Sequence, residues 1–335
     1  MKEAYLYEKM ADGKVKCNLC NHRCVIFPGK RGICGVRENR EGVFYSSVYG
    51  KAAAKNVDPV EKKPFFHFLP GSYSFSIATV GCNFRCSFCQ NFEISQAVRD
   101  EGRVIGEELL PEDIVRYAVE NNCRSISYTY TEPTIFMEYA YDTACLAKEK
   151  GIRNNFVTNG YMTEDALNFF HPHLDAANVD LKAFSDKFYA EMCGAKLKPV
   201  LSSIAKMKSL GIWVEITTLV IPTMNDSPEE LRQIAEFIKS VGEEIPWHVS
   251  RFHPTYRVND IPSTSTDILD KAREIGREAG LRYVYIGNLP GDDGENTYCY
   301  RCGKLLIHRC GFQVLENVVT DGKCPECGAK IDGVF

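Results

Sequence analysis

Long apolar runs are absent from this sequence of 335 residues, and so is a large excess of charge of either sign. No run approaches the roughly 18 apolar residues that a membrane-spanning helix requires, so we expect no membrane segment. The N-terminal stretch MKEAYLYEKMADGK is too charged for a signal peptide, so we expect a cytoplasmic protein. A net charge of −4 gives no indication of a nucleic-acid-binding or anionic-membrane-binding surface.

Cysteine, in contrast, is abundant, with fifteen residues. Disulfides are disfavoured in the cytoplasm, so clustered thiols indicate metal binding or catalysis. Cys123, Cys145 and Cys193 stand alone, and we expect them to be small buried hydrophobic residues. The others form three clusters: Cys17, Cys20, Cys24 and Cys34; Cys82, Cys86 and Cys89; and Cys299, Cys302, Cys310, Cys324 and Cys327.

The middle of the chain alternates between apolar, β-rich runs and segments of helical periodicity. Six or seven such units over about 215 residues predict a parallel sheet, as a barrel or partial barrel, although a doubly wound sheet has the same pattern. Five helices are predicted in PEDIVRYAVENN, IFMEYAYDTACLAKEKG, PVLSSIAKMKSLG, SPEELRQIAEFIKSVG and TDILDKAREIGREAG. The predicted strands lie at 74–80, 124–130, 154–159, 176–182, 213–221 and 247–253, with a weaker one at 282–286.

The two ends of the chain lack this rhythm and carry the first and third cysteine clusters. We therefore predict an α/β protein in three parts. The parts are a Cys-rich N-terminal extension over 1–66, a core domain over 67–290, and a small C-terminal module over 291–335 that begins at the turn-rich GDDGEN.

The stretch TVGCNFRCSFCQN (79–91) places Cys82, Cys86 and Cys89 at C-x3-C-x2-C spacing, directly after the first predicted strand. Structural zinc is usually closed by four protein ligands, so three thiols leave one coordination position open. Zinc with a distant fourth ligand is one interpretation. A 4Fe–4S cluster with one iron unligated by protein is the other.

The motif and its position resemble the radical S-adenosylmethionine (SAM) superfamily, and this resemblance favours the iron–sulfur cluster. It implies a partial (β/α)6 barrel in which SAM binds the open iron. An electron from the cluster then cleaves SAM to a 5′-deoxyadenosyl radical, which abstracts hydrogen from a substrate. The resemblance also implies a one-electron donor such as flavodoxin or ferredoxin.

The same resemblance implies contacts to SAM. Phe88 matches the aromatic residue that packs against adenine, and Glu132 in TYTEP matches the carboxylate of the family's Gly-Gly-Glu-Pro, which holds the SAM amino group. Asp180 and Lys182 resemble the Asp-x-Lys of pyruvate formate-lyase activating enzymes, whose lysine meets the SAM carboxylate, and His253 resembles a SAM-contacting histidine. The alternatives are a glutamate at a helix N-terminus, an exposed ion pair and a core histidine.

Nearly the whole chain is similar to AmmeMemoRadiSam-system radical SAM enzymes, through KCNLCNHRCVIFPGKRGICGVREN, VDPVEKKPFFHFLPGS, YTYTEPTIFMEY and FVTNGY. This similarity implies Memo-like and AMMECR1-like partners. The substrate is a small molecule or a protein residue, or, for a glycyl-radical-enzyme activase, a backbone glycine. The alternative to an enzyme is a structural zinc scaffold that carries out no radical chemistry. The two end segments could cover the barrel mouth, which would favour a small substrate.

The remaining clusters predict further metal sites. Cys299-x2-Cys302 and Cys324-x2-Cys327, each followed by glycine, predict a zinc ribbon, with iron in a rubredoxin-like site as the alternative. Cys17, Cys20, Cys24 and Cys34 could close around zinc or hold a second iron–sulfur cluster. Their spacing matches neither standard ferredoxin run, which favours zinc.

Overall fold

The computed structural model describes residues 1–289 and 291–335, and its elements are numbered here in chain order. The strands are β1 Lys2–Glu3, β2 Tyr7–Lys9, β3 Val15–Cys17, β4 Val25–Ile26, β5 Arg37–Arg40, β6 Val43–Ser46, β7 Lys51–Ala52, β8 Ala54–Pro59, β9 Tyr73–Ala78, β10 Glu107–Glu108, β11 Ser125–Tyr128, β12 Arg153–Thr158, β13 Ala176–Asp180, β14 Trp213–Val220, β15 Trp247–Arg251, β16 Val284–Gly287, β17 Thr297–Tyr298, β18 Leu305–Cys310 and β19 Gln313–Asn317. The α-helices are α1 Phe92–Ser95, α2 Ala97–Glu101, α3 Pro111–Glu120, α4 Met137–Glu149, α5 Glu164–Phe170, α6 Asp186–Phe188, α7 Leu197–Ser209, α8 Pro228–Val241 and α9 Thr266–Ala279.

All seven predicted strands pair in parallel, in the order β9-β11-β12-β13-β14-β15-β16. Consecutive strands are neighbours throughout, so the reversal of strand order that defines a doubly wound sheet is absent from the described residues. β8 adds an antiparallel edge strand beside β9. β8 and β16 form the two edges, so the barrel is not closed. The α/β class and the parallel sheet are therefore confirmed.

The five predicted helices are present as α3, α4, α7, α8 and α9. Local sequence explains their starts, as when the side chain of Ser227 accepts the Glu230 N–H and Pro228 occupies the first turn of α8. Buried Leu231, Ile234 and Ile238 recur at helical spacing on one side of α8. None of the described helices has both the length and the apolar content that crossing a bilayer would need.

The N-terminal segment packs beside the carboxyl ends of the central strands. Cys20 forms a β-bridge with Met162, just after β12. Buried Arg37 makes a bidentate ion pair with Glu138 of α4, at 2.7 and 2.8 Å. β8 lies before the predicted boundary at residue 66, although it belongs to the central sheet. The three-part division remains a prediction, and its boundary at 290 falls outside the described residues.

The C-terminal module packs against the opposite end of the sheet, where the strands begin. Arg309 is fully buried there and donates to the carbonyl oxygen of Phe66 at 2.8 Å. Arg282, two residues before β16, pairs with Asp332 at 2.9 Å. The expectation that this module covers the barrel mouth was wrong, because its buried contacts lie at the amino ends of the strands.

Candidate functional site

A cleft of about 290 Å³ opens at the carboxyl ends of the parallel strands. Sites form at this end of parallel α/β sheets because the loops after successive strands converge there. The cleft brings together most of the predicted site residues, namely Cys82, Cys86, Phe88, Cys89, Glu132, Asp180 and Lys182.

The three cysteines of the loop after β9 share one wall of the cleft and have hydrogen-bond support. The Phe84 N–H points at Cys82 Sγ at 3.3 Å, and Ser95 Oγ lies 3.2 Å from Cys89 Sγ. Donors directed at sulfur stabilise thiolate ligands and the sulfurs of a cluster. The hydrogen-bond donors of this loop therefore suit an anionic iron–sulfur cluster held by the three cysteines.

Cys193 is a fourth thiol at this loop, and sequence reasoning missed it. It ends a π-helical turn, Tyr189–Cys193, and its carbonyl oxygen accepts the Arg85 N–H at 2.9 Å. The hydrogen bond from its buried thiol lowers the pKa of Cys86. Nothing in the sequence indicated this contact, because Cys193 lies far from the three-cysteine loop along the chain.

Glu132 is buried at the end of the loop after β11, and its carboxylate already has protein partners. One oxygen accepts hydrogen bonds from the N–H and the hydroxyl of Thr134 and from the hydroxyl of Thr158. The other accepts the Asn159 N–H at 2.8 Å. Burial raises the pKa of Glu132. The carboxylate thus caps the short 3-10 helix Pro133–Phe136 while also bordering the cleft.

Tyr130 occupies a glycine position of the Gly-Gly-Glu-Pro segment that the sequence resembles. Its backbone has a positive φ of 61°. That region is unfavourable for a residue with a bulky side chain and is easy for glycine. The tyrosine therefore keeps a glycine-like backbone, and its hydroxyl turns away to donate to Asp58 at 2.6 Å.

Asp180 and Lys182 form an ion pair on the cleft wall, with Nζ 2.9 Å from Oδ2. Burial alone would lower the pKa of Lys182, but Asp180 and the thiols of Cys86 and Cys193 raise it well above its usual value. The ammonium group also lies 5.8 Å from the ring centre of Phe88. The lysine is thus a charged group held beside the cysteine loop.

One predicted site residue lies elsewhere. His253 is exposed and pairs with Ser263 at 3.1 Å, outside the residues that line the cleft, so its contact with SAM stays a prediction.

Lys62 and Lys63 border the cleft, and sequence reasoning did not single them out. Both reach Asp58, at 2.8 and 2.7 Å. Although burial alone would raise it, hydrogen bonds from both lysines and Tyr130 hold the pKa of Asp58 well below its usual range. Burial lowers the pKa of Lys63 to about 8. The two lysine ammonium groups share the single negative charge of Asp58, so this part of the cleft wall has a net positive charge.

The C-terminal module brings its four knuckle cysteines together. Cys299, Cys302, Cys324 and Cys327 have sulfur atoms within 4.8 Å of one another. Tetrahedral zinc with Zn–S bonds of about 2.3 Å requires sulfur–sulfur distances of roughly 3.8 Å. Two pairs are already 3.6 and 3.7 Å apart, so the four thiols fit a single metal ion, zinc or iron. Cys310 is exposed and stays outside this set.

The family model of the radical SAM superfamily matches residues 76–238. An uncharacterized protein of Methanocaldococcus jannaschii is 47% identical over 338 aligned residues, which cover 100% of each chain. A pyruvate formate-lyase-activating enzyme of Clostridium pasteurianum is 24% identical, covering 60% of this chain and 87% of its own. The crystal structure of a radical SAM methyltransferase from Sphaerobacter thermophilus aligns with a TM-score of 0.52, at 17% identity over 71% of each chain, and shares the fold.

Proposed function

The chain belongs to the radical SAM superfamily, and from this premise we propose how its cleft binds SAM and which class of substrate it accepts. It is a radical SAM enzyme related to pyruvate formate-lyase activating enzymes. The observation that carries the proposal is the convergence of Cys82, Cys86 and Cys89 with Glu132 and Lys182 in one cleft.

We assign Cys82, Cys86 and Cys89 as the ligands of a 4Fe–4S cluster. When bound, the cluster supplies the electron that cleaves SAM to methionine and the 5′-deoxyadenosyl radical. The chain's own part is to bind, to orient and to exclude water. Donors from Phe84 and Ser95 support this assignment, because they are directed at the sulfur atoms.

Charge and position support two further roles. Lys182 faces the SAM carboxylate, and Asp180 orients Lys182 through their 2.9 Å contact. Glu132 borders the ammonium side of SAM, where its second oxygen accepts only one protein hydrogen bond in the described residues. The ammonium would offset the burial that raises the pKa of Glu132. Phe88 offers an apolar surface for the adenine.

We further propose that the substrate is a small anionic molecule. The segment after β8 narrows the cleft, because the Pro64 carbonyl oxygen accepts a hydrogen bond from Asn178 of β13 at 2.8 Å. A cleft of about 290 Å³ is at the lower end of ligand-site volumes, which favours a small substrate. The net positive charge of Lys62, Lys63 and Asp58 favours an anion. A folded protein presenting a backbone glycine needs a wider opening.

Deuterium transfer tests this proposal. The anaerobic enzyme is incubated with SAM, a reductant and an extract of cells grown in heavy water, divided by ultrafiltration. Mass spectrometry then detects deuterium in 5′-deoxyadenosine. Transfer from the anionic part of the small-molecule filtrate supports the proposal. Transfer from the retained proteins alone contradicts it and favours the activase alternative.

A variant pair sharpens this test. Lys62→Ala should lower deuterium transfer at limiting substrate, whereas Lys62→Arg, which keeps the charge, should retain more of it. Lys198→Ala, an exposed lysine outside the cleft, serves as the control. Equal transfer by Lys62→Ala and the control would remove Lys62 from the substrate site.

We also propose that the chain acts as part of a larger enzyme system. The motifs of residues 16–39 and 57–72 support an AmmeMemoRadiSam-system enzyme with Memo-like and AMMECR1-like partners. Flavodoxin or ferredoxin is the proposed electron donor, as in the activases. Anaerobic co-purification of these partners with the intact chain tests the first statement, and reduction kinetics with each donor test the second.

A further inference from the structure

The four N-terminal cysteines surround one small cavity beside the cleft. Cys17 ends β3, and its N–H donates to the Cys24 carbonyl oxygen at 2.9 Å. Cys20 is held by its bridge to Met162, and Cys34 precedes β5. All four cysteines line the same cavity and therefore form one site in the folded chain.

The spacing of these sulfur atoms differs from that of the C-terminal module. Among the residues that the structure describes, only Cys299, Cys302, Cys324 and Cys327 have sulfurs within 4.8 Å of one another. A single zinc ion at about 2.3 Å from each sulfur imposes such close spacing. No three of the N-terminal thiols meet that limit in the described chain. Their arrangement is too open for one zinc ion.

The cysteines of the loop after β9 provide an internal comparison. Cys82, Cys86 and Cys89 also fall outside the close set, although they share one cleft wall. In a cluster each thiolate binds a different iron, which holds the sulfurs farther apart than they would be around one ion. The N-terminal four therefore share the open spacing of the cluster loop.

Two buried donors at the cavity have no partner among the described residues. Arg37 Nε and Asn83 Nδ2 belong to side chains that are 2% and 1% exposed, and both residues line the cavity. A buried donor without an acceptor destabilises the folded state. Thiolate sulfurs of a metal site accept such hydrogen bonds, and a cluster adds its bridging sulfides as further acceptors. These donors are therefore compatible with an anionic, sulfur-containing site at this cavity.

The remaining wall suits a cluster as well. Leu19, Ile26, Phe44 and Ile135 give it an apolar lining, which shields a cluster from water and influences its reduction potential. We infer that Cys17, Cys20, Cys24 and Cys34 hold a second iron–sulfur cluster, and that this cluster relays electrons to the one in the cleft. The metal assignment stands apart from the proposed function, whereas the relay rests on it.

A short connection joins the two sites. Asn83 follows Cys82 in sequence and lines the N-terminal cavity, and His22 Nε2 lies 2.8 Å from its carbonyl oxygen. A Cβ on Gly81 would come within 2.8 Å of the Cys34 carbonyl oxygen, so the two loops touch. In such a relay, one electron would pass from a reduced flavodoxin-class or ferredoxin-class donor, which is oxidised, to the N-terminal cluster and then to the cleft cluster. No atom or proton need be transferred.

Metal and sulfide analysis of the anaerobic full-length protein tests the assignment. We expect about eight iron and eight sulfide per chain if both clusters are 4Fe–4S, not counting the single ion of the C-terminal module. The triple variant Cys82→Ala/Cys86→Ala/Cys89→Ala should keep about four of each, and Cys20→Ser/Cys24→Ser should lose the other four. Cys123→Ala is the matched control. A triple variant with no sulfide, and with one zinc at the N-terminal site besides the ion of the C-terminal module, would overturn the assignment.

Spectroscopy of the parent protein covers the case in which a variant fails to fold. Mössbauer and EPR spectra of the reduced parent should resolve two clusters, and a single cluster overturns the proposal. For the relay, freeze-quenching after mixing with reduced flavodoxin should show the N-terminal cluster reduced first. Equally fast reduction of the cleft cluster in Cys20→Ser/Cys24→Ser would refute the relay alone. Iron counts do not depend on SAM, so failure of the proposed function remains distinguishable.

Discussion

Lys182 and Asp180 form an ion pair across 2.9 Å at the wall of the cleft, beside the cysteine loop. The pair holds an ammonium group within a largely buried site before any ligand arrives. We expect Lys182→Ala to weaken SAM binding by roughly tenfold to a hundredfold, because a hydrogen bond to a charged group contributes about 1.5–3 kcal/mol. Calorimetry on anaerobic, reconstituted protein measures this, with iron content unchanged.

The control for that measurement is Lys187→Ala, an exposed lysine five residues further along the chain. Lys182→Arg should recover only part of the affinity, because a planar guanidinium does not replace a compact ammonium. If Lys182→Ala binds SAM as tightly as the parent, the carboxylate assignment fails. Arg251 is the next candidate, although its Nε already donates to the Thr264 carbonyl oxygen.

Each of the substitutions Cys82→Ala, Cys86→Ala and Cys89→Ala should abolish formation of 5′-deoxyadenosine while the chain still folds. The strands of the sheet are buried against α3, α4, α7, α8 and α9, so the loss of one loop thiol should leave the fold intact. Chromatographic assay of 5′-deoxyadenosine gives the activity, and circular dichroism confirms folding. Full cleavage by any one of these variants would rule out the cluster ligands as assigned.

Cys193 should tune the cleft cluster without being a ligand. Hydrogen bonds to cluster sulfurs favour the more negative, reduced state, so Cys193→Ala should shift the reduction potential to a more negative value. Iron content should be unchanged, and Cys193→Ser should restore part of the shift because a hydroxyl can donate. An EPR-monitored redox titration checks this against Cys123→Ala. Loss of iron from Cys193→Ala would show instead that the thiol is a ligand.

Removing metal from the C-terminal module should unfold that module first. Its hydrophobic cluster is small, with Leu306, Ile307 and Ile331 as the main buried residues, so metal binding contributes much of its folding energy. Chelator treatment should expose residues 291–335 to protease before the core domain is cut. Cys310→Ala should retain the metal, because Cys310 lies outside the four-thiol set. Continued protease resistance after proven metal loss would contradict the prediction.

His67 should make stability fall in mild acid. Its ring is buried between the Asp332 carbonyl oxygen and the Tyr285 hydroxyl, and burial lowers its pKa to about 4. The unfolded chain binds a proton near pH 6.5, whereas the folded chain stays neutral until about pH 4. The contribution of neutral His67 to the free energy of unfolding is therefore fully present above pH 6.5. It falls by roughly 3 kcal/mol as the pH drops towards 4.

Urea unfolding at pH 7.5 and 5.5, followed by tryptophan fluorescence, measures this dependence, since His67 stacks near Trp213. The variant His67→Gln removes the titrating ring and should flatten the dependence. His171→Gln, a partly exposed histidine distant from this interface, is the control. An equally steep pH dependence in His67→Gln would assign the effect to other groups.

Much of the fold followed from local pattern. Apolar runs bounded by turns predicted the seven parallel strands, and periodic apolar residues with capping groups predicted the five helices. β8 was missed because half of AKNVDP is polar, only Asp58 in it is buried, and it pairs at an edge. The position of the C-terminal module was also missed, because it depends on buried contacts such as that of Arg309 with Phe66, which no spacing encodes.

Short stretches of sequence were enough to predict the three-cysteine loop, the two knuckles and the strand–helix alternation. Their residues are close in the chain, so spacing alone restricts which ligand geometries are possible. Contacts between groups that are far apart in the chain could not be predicted in this way. The fold brings Cys193 against Cys86, Arg37 against Glu138, and His22 against the Asn83 carbonyl group. Such contacts arise when whole helices, strands and loops pack together. The spacing of residues along the chain carries no information about that packing.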